Sequence, residues 1–188
     1  MSWEPDVKHA DTLVEEWSTN RNRRIELPVS AEWNSPSTGV AVTGAQATKF
    51  RSGAARVQYL SHDRADLSLA ACILSTRMAS PTESDCNLLG RIGDYLKLNR
   101  RRQIKYSWNG TKAHCLDVFT DSDWASCEQT RKSRSGCVIA YSGYTICHFT
   151  RTQEAIALST AEAELRASCK GVTEALGIQG MMQFFVWP

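Results

Sequence analysis

No stretch of the 188 residues approaches the ~18 consecutive apolar residues of a membrane span, so no membrane-spanning helix is expected. The start, Met1-Ser2-Trp3-Glu4-Pro5-Asp6, has neither a basic n-region nor an apolar h-region, so no secretory signal is expected and the chain is expected to be intracellular. The Asn109-Gly110-Thr111 sequon is then accidental. The seven cysteines, at 72, 86, 115, 127, 137, 147 and 169, are odd in number and contain no Cys-x-x-Cys. That excludes a zinc ribbon and a disulfide framework and leaves reduced, mostly buried thiols as the expectation. No Gly-rich phosphate loop, no Gly-x-Ser-x-Gly elbow and no Cys/His nucleophile pattern is present. The four histidines, at 9, 62, 114 and 148, are dispersed without metal-ligand spacing.

What is present is an ordinary globular composition, 42% hydrophobic and 22% charged, with enough chain for one domain or two small ones. The net charge of +2 conceals an asymmetry. Residues 1–108 carry 15 basic and 12 acidic side chains, and residues 109–188 carry 7 and 8. The basic half ends in Asn99-Arg100-Arg101-Arg102-Gln103-Ile104-Lys105, and the other half holds Asp117, Asp121 and Asp123. A basic run is by default a solvated face.

Periodicity places the elements. Asp6 is a good N-cap, and Val7, Ala10, Leu13, Val14 and Trp17 share a helical face over 6–17. From 18 to 46 the pattern dissolves into Ser, Thr, Asn, Gly and Pro, which reads as a linker. Three helices are predicted next, at 47–61 (Ala47, Phe50, Ala54, Val57, Leu60), 63–79 (Leu67, Ala70, Ala71, Leu74, Met78) and from a cap at Thr82-Glu83-Ser84-Asp85 (Leu88, Leu89, Ile92, Tyr95, Leu96). At residue 104 the period shifts to strands. A hairpin is expected from Ile104–Trp108 through Asn109-Gly110 to Thr111–Cys115, then strands at 116–121, 135–141 and 144–149, the last two joined by Ser142-Gly143. Ser159-Thr160-Ala161-Glu162 reads as a capping box, and the helix after it is expected to bury Leu158, Ala161, Leu165, Cys169, Val172 and Leu176.

Asp121 ends a strand and Glu164 lies early on the following helix. A helix packed across a strand end can bring two carboxylates together, a costly arrangement unless a cation such as Mg²⁺ lies between them. The alternative is a turn-forming aspartate and a glutamate that complements the helix dipole.

Three ordered motifs resemble the ribonuclease H domain of Copia-type (Ty1/Copia) retrotransposon Pol polyproteins: Val118-Phe119-Thr120-Asp121-Ser122-Asp123-Trp124-Ala125, Thr130-Arg131-Lys132-Ser133-Arg134-Ser135-Gly136 and Ala157-Leu158-Ser159-Thr160-Ala161-Glu162-Ala163-Glu164-Leu165. Tyr59–Leu67, Leu74–Thr82 and Arg91–Lys97 are similar to the segment that joins reverse transcriptase to ribonuclease H, and Lys8–Ser30 resembles the end of the polymerase thumb. The resemblance implies a mixed α+β chain in three parts: thumb end and linker at 1–46, a helical connection at 47–103, and a partial ribonuclease H-like domain at 104–188, a three-stranded antiparallel sheet plus first helix. It implies cleavage of RNA in RNA–DNA hybrids with Mg²⁺ or Mn²⁺, Asp121 and Glu164 standing as two of four metal-binding carboxylates. Arg100, Arg101, Arg102, Lys105, Arg131, Lys132 and Arg134 become candidate contacts to the nucleic-acid backbone. The expected partners are a hybrid and the remaining Pol segments, in cytoplasm, nucleus or virus-like particle. The sequence departs from the family at Cys147-His148-Phe149 and at Ser126-Cys127, and the strands bearing the third and fourth carboxylates do not occur in it. The chain is therefore expected to be inactive alone; the alternative is a domesticated or remnant scaffold that binds nucleic acid or protein without catalysis.

Overall fold

A computed structural model of the chain describes residues 2–19, 25–35, 39–106 and 115–186, and shows a mixed α+β protein. It divides into two compact units, residues 1–106 and 107–188.

In the first unit, β1 (Ser2–Trp3) precedes α1 (Val7–Trp17), a 3₁₀ turn (Ala31–Asn34), α2 (Gly44–Leu60), α3 (Ser68–Arg77), α4 (Glu83–Leu98) and β2 (Ile104–Lys105). The predicted stripes meet in one core: Leu13 of α1, Phe50 and Val57 of α2, Leu74 of α3, and Leu88, Leu89, Ile92 and Leu96 of α4 are all fully buried. Asp6 caps α1 by accepting from the Lys8 amide at 2.9 Å. The Asp85 carboxylate accepts from the Thr82 amide and hydroxyl at 2.8 and 3.0 Å, so it opens α4 as the sequence anticipates. α1 lies so close to α4 that a Cβ on Gly93 would stand 2.9 Å from the Ser18 amide nitrogen. The adjacent Asp94 carboxylate then accepts from the Ser18 hydroxyl and from the Thr19 amide and hydroxyl, closing the chain end of α1 onto α4.

Three expectations change here. The helix expected at 63–79 begins only at Ser68, after a 3₁₀ turn at Ala65–Leu67. Its predicted opening is displaced because Arg64, only 2% exposed, turns inward to a 2.6 Å ion pair with Asp66 and a 2.7 Å bond to the Asn99 carbonyl. The linker at 18–46 contains the 3₁₀ turn, held where Arg77 donates to the Trp33 and Ser35 carbonyls, and the first residues of α2. Finally, β2 pairs antiparallel with β1, Ser2 opposite Lys105 and Trp3 opposite Ile104. The expected Asn109-Gly110 turn, with residues 107–114 around it, lies outside the described residues.

The second unit is an antiparallel meander of β3 (Leu116–Asp123), β4 (Arg134–Tyr141) and β5 (Tyr144–Thr152), followed by α5 (Thr160–Val186). Ser142 and Gly143, both at positive φ (50° and 81°), make the tight β4–β5 turn read from the sequence. The sheet order is β3-β4-β5, so β3 is an edge strand among the described residues.

α5 packs on the sheet by a different face from the one its periodicity suggests. Leu158, Leu165, Val172 and Leu176 are 50–87% exposed, and Ala161 and Cys169 are exposed as well. The sheet takes the small residues instead: Ala163, Ala167 and Ala175 are buried, and Gly171 lies among them. Close approach explains the choice. A Cβ on Gly171 would sit 2.5 Å from Thr120 Cγ2 and 3.2 Å from both Val118 Cγ1 and Cys137 Sγ. A leucine face cannot come that near a sheet of valine, threonine and cysteine.

Candidate active site

Three sets of hydrogen bonds organise the N-terminal part of α5, one capping the helix itself and two tying it to the sheet. Ser159 Oγ accepts from the Glu162 amide at 3.2 Å, and a Glu162 carboxylate oxygen accepts from the Leu158 amide at 2.8 Å. That backbone hydrogen bond and the adjacent Arg166 hold the Glu162 carboxyl below the usual carboxylate range. Glu162 is thereby committed to capping. Second, the Gln153 side-chain amide, 8% exposed, donates to Ser135 Oγ and to the Ala163 carbonyl, both at 2.9 Å. Third, Thr120 Oγ1 and Ser168 Oγ share a 3.1 Å hydrogen bond.

These contacts deliver Glu164 to the end of β3, where one of its carboxylate oxygens accepts from the Ser122 amide at 3.2 Å. Asp121 is the preceding residue. Alternation along β3 turns Val118 and Thr120 toward α5, and Asp117, Phe119, Asp121 and Asp123 to the opposite, exposed face. Glu164 thus reaches the strand from the helix side, and Asp121 leaves it on the other.

Oxygen donors of this kind suit Mg²⁺ or Mn²⁺, which bind through one or two carboxylates with water and substrate phosphate making up the rest. Two carboxylates are short of a closed cage, and no group of three or more His, Cys, Asp or Glu suited to a metal occurs among the described residues. By donor chemistry the two carboxylates suit such a cation, but they meet the strand end from opposite faces, and the described residues show no assembled site.

The basic candidates fall into two sets. In the first unit, Arg100 pairs with Asp11 at 3.3 Å, Arg101 with Glu4 at 2.8 Å through its second nitrogen, and Arg102 with Asp66 at 3.3 Å. Lys105 is exposed on β2 and has no ion pair among the described residues. In the second unit, Arg131 is exposed in the β3–β4 loop and Lys132 is half-buried. Arg134 is 6% exposed and starts β4, opposite Asp123 in the ladder. Part of its charge acts on Cys127. Burial works against that thiolate, but hydrogen bonds from Thr130 and Gln129 and the charge of Arg134 prevail and hold the thiol below its ordinary range.

Sequence reasoning missed Gln153 and Ser122. A glutamine just after a strand carries no local signal, and the Ser122 contribution is a backbone amide that any residue would supply. The one available cue was the Ala163, Ala167, Gly171, Ala175 series, a small-residue stripe at i, i+4 spacing that marks the face able to approach a sheet closely.

No protein-family model matches the chain, and no solved structure matches it significantly. It is 35% identical over 118 residues to an uncharacterized mitochondrial protein of Arabidopsis thaliana, a match covering 63% of this chain and 48% of that protein. It is 30% identical over 120 residues to each of two retrovirus-related Pol polyproteins, from the transposons RE1 and RE2 of the same plant, covering 64% of this chain and 8% of each polyprotein. The chain thus spans about half of the mitochondrial relative and a small part of each polyprotein. It is similar to a segment of retrotransposon Pol polyproteins.

Proposed function

We propose that residues 107–188 are the first part of a ribonuclease H-like nuclease domain of a Copia-type Pol polyprotein, preceded by a helical segment from the end of reverse transcriptase. The observation that carries this reading is the Glu164–Ser122 hydrogen bond, which brings a helix carboxylate to the strand end that bears Asp121. It agrees with the ordered motifs around both residues and with the similarity to Pol polyproteins. Asp121 and Glu164 are two ligands of a divalent-cation site. The bound cation would activate water and stabilise the leaving oxygen of an RNA phosphodiester. The chain's own residues position the site: Ser122 orients Glu164, Gln153 ties the start of α5 to β4, and Thr120 with Ser168 ties α5 to β3. With two of four carboxylates, the 188-residue chain does not cleave a hybrid.

Mn²⁺ titration followed by NMR tests the site. Paramagnetic broadening is expected first at the amides of Asp121, Ser122 and Glu164, and it should be lost in Asp121→Asn and in Glu164→Gln. Broadening that begins elsewhere, or that survives both substitutions, would overturn the assignment.

A further inference from the structure

We propose that Arg101 and Gln103 form a seat for a phosphate group of a nucleic-acid backbone, and that Glu4 closes this seat with the chain's own carboxylate. Residues 2–4 run antiparallel to residues 103–105. Ser2 faces Lys105, Trp3 faces Ile104, and one step further along Glu4 meets Gln103. There one carboxylate takes three donors. One Glu4 oxygen accepts from Arg101 Nε, and the other accepts from Arg101 Nη2 at 2.8 Å and from Gln103 Nε2 at 3.3 Å. These hydrogen bonds hold the Glu4 carboxyl below the usual carboxylate range.

An arginine fork that grips a carboxylate with two N–H groups fits the oxygens of a phosphate equally well. Two features mark the Glu4 contact as one that an incoming anion can replace. The Arg101 side chain is 70% exposed, so the guanidinium is reached from solvent while Glu4 still holds it. The strand that carries Glu4 to it is only two residues long, and neither Ser2, Trp3 nor Glu4 belongs to the helical core. Lifting residues 2–4 breaks a two-residue ladder and leaves the four packed helices as they are.

The neighbouring charges decide what kind of anion gains by the exchange. Arg100, Arg102 and Lys105 are exposed beside the seat, and Arg100 holds another exposed acid, Asp11, at 3.3 Å. Exposed ion pairs hold weakly. A single carboxylate or a free phosphate meets one such group, whereas a nucleic-acid backbone meets the run and gains from the counterions it releases. Glu4 therefore acts as an internal competitor of the backbone. This inference concerns the first unit and does not depend on Asp121 and Glu164 holding a cation, and it is tested without a divalent cation.

The probe is a short fluorescein-labelled RNA–DNA hybrid, titrated with the 188-residue chain by anisotropy over a range of potassium chloride concentrations. Glu4→Gln is expected to bind about threefold more tightly and to steepen the log–log salt slope by about one, the phosphate contact that Arg101 gains. Glu15→Gln removes the same charge from an exposed position of α1 and should produce neither change. The double variant Glu4→Gln, Arg101→Gln should lose the gain. In Glu4→Gln the hybrid should also shift the Arg101 Nε–H resonance more than inorganic tripolyphosphate does at equal phosphate concentration. No gain in Glu4→Gln, an equal gain in Glu15→Gln, or a gain that survives loss of Arg101 would overturn the proposal. A resonance moved by tripolyphosphate and not by the hybrid would assign the seat to free phosphate and overturn it as well.

Discussion

Asp66 sits where burial and hydrogen bonding pull in opposite directions. Burial raises its pKa, but the Arg64 guanidinium, the Tyr95 hydroxyl and the charge of Arg102 outweigh that and hold it below the usual carboxylate range. A carboxyl whose pKa is depressed on folding adds stability that is complete above its unfolded value, near 4, and lost as pH falls through the folded value. Asp66→Asn should therefore flatten the acid limb of the stability profile. It should also cost about 3 kcal/mol at neutral pH, since Arg64 is left buried without its carboxylate. Urea denaturation at pH 7 and pH 3.5 reads both effects; an unchanged acid limb would show that other carboxylates set it. This pair was not legible in the sequence. A helical reading of 63–79 puts Arg64 on a solvated turn, and only the packing of the Asn99 carbonyl over it draws it inside.

At the scale of elements, α5 shows where periodicity misleads. Its larger apolar residues form the more obvious stripe, yet the sheet selects the face that lets the backbones approach. Gly171→Ala should destabilise the second unit by about 1–3 kcal/mol through overpacking against Thr120, although alanine is the better helix former. Gly177→Ala, with nothing within 4 Å of its new Cβ, should stabilise by up to about 1 kcal/mol. Opposite signs in thermal unfolding test the packing directly; stabilisation by both would show that helix propensity alone governs α5. The other elements were legible because their signals were local and redundant. The Thr82–Asp85 cap, the Ser142-Gly143 turn and the stripes of α1, α2 and α4 each combine a boundary residue with a buried face. Of the candidate site, the two carboxylates were legible from their motifs. The amide that orients Glu164 and the glutamine beneath α5 were not, because pairing between residues 10 to 42 apart has no local pattern.

At the scale of the molecule, the two units differ in how much they bury. The first has a continuous core of large aliphatic side chains drawn from four helices, whereas the second rests mainly on Cys137, Ile139 and small alanines under a helix with an exposed apolar face. Native-state hydrogen exchange should accordingly be slowest in α4 and faster throughout the second unit; equal protection in both would contradict that ranking. Arg100, Arg101 and Arg102 already face acidic partners, so the basic candidates without ion pairs among the described residues are Lys105, Arg131 and Lys132. Phosphate contacts by Arg131 and Lys132 of the second unit would give hybrid binding a log–log salt slope near −2, and a flat dependence would argue against phosphate contacts altogether. Asp121 and Glu164 are proposed as half of a nuclease site. The most direct test is cleavage of a labelled RNA–DNA hybrid in Mg²⁺ by the 188-residue chain and by the same chain extended with the remaining strands of a Copia-type ribonuclease H domain. The first should not cleave, and the second should cleave in a manner that disappears in Asp121→Asn and in Glu164→Gln. Cleavage by the 188-residue chain alone, or an extended chain that is inactive or indifferent to both substitutions, would contradict that assignment.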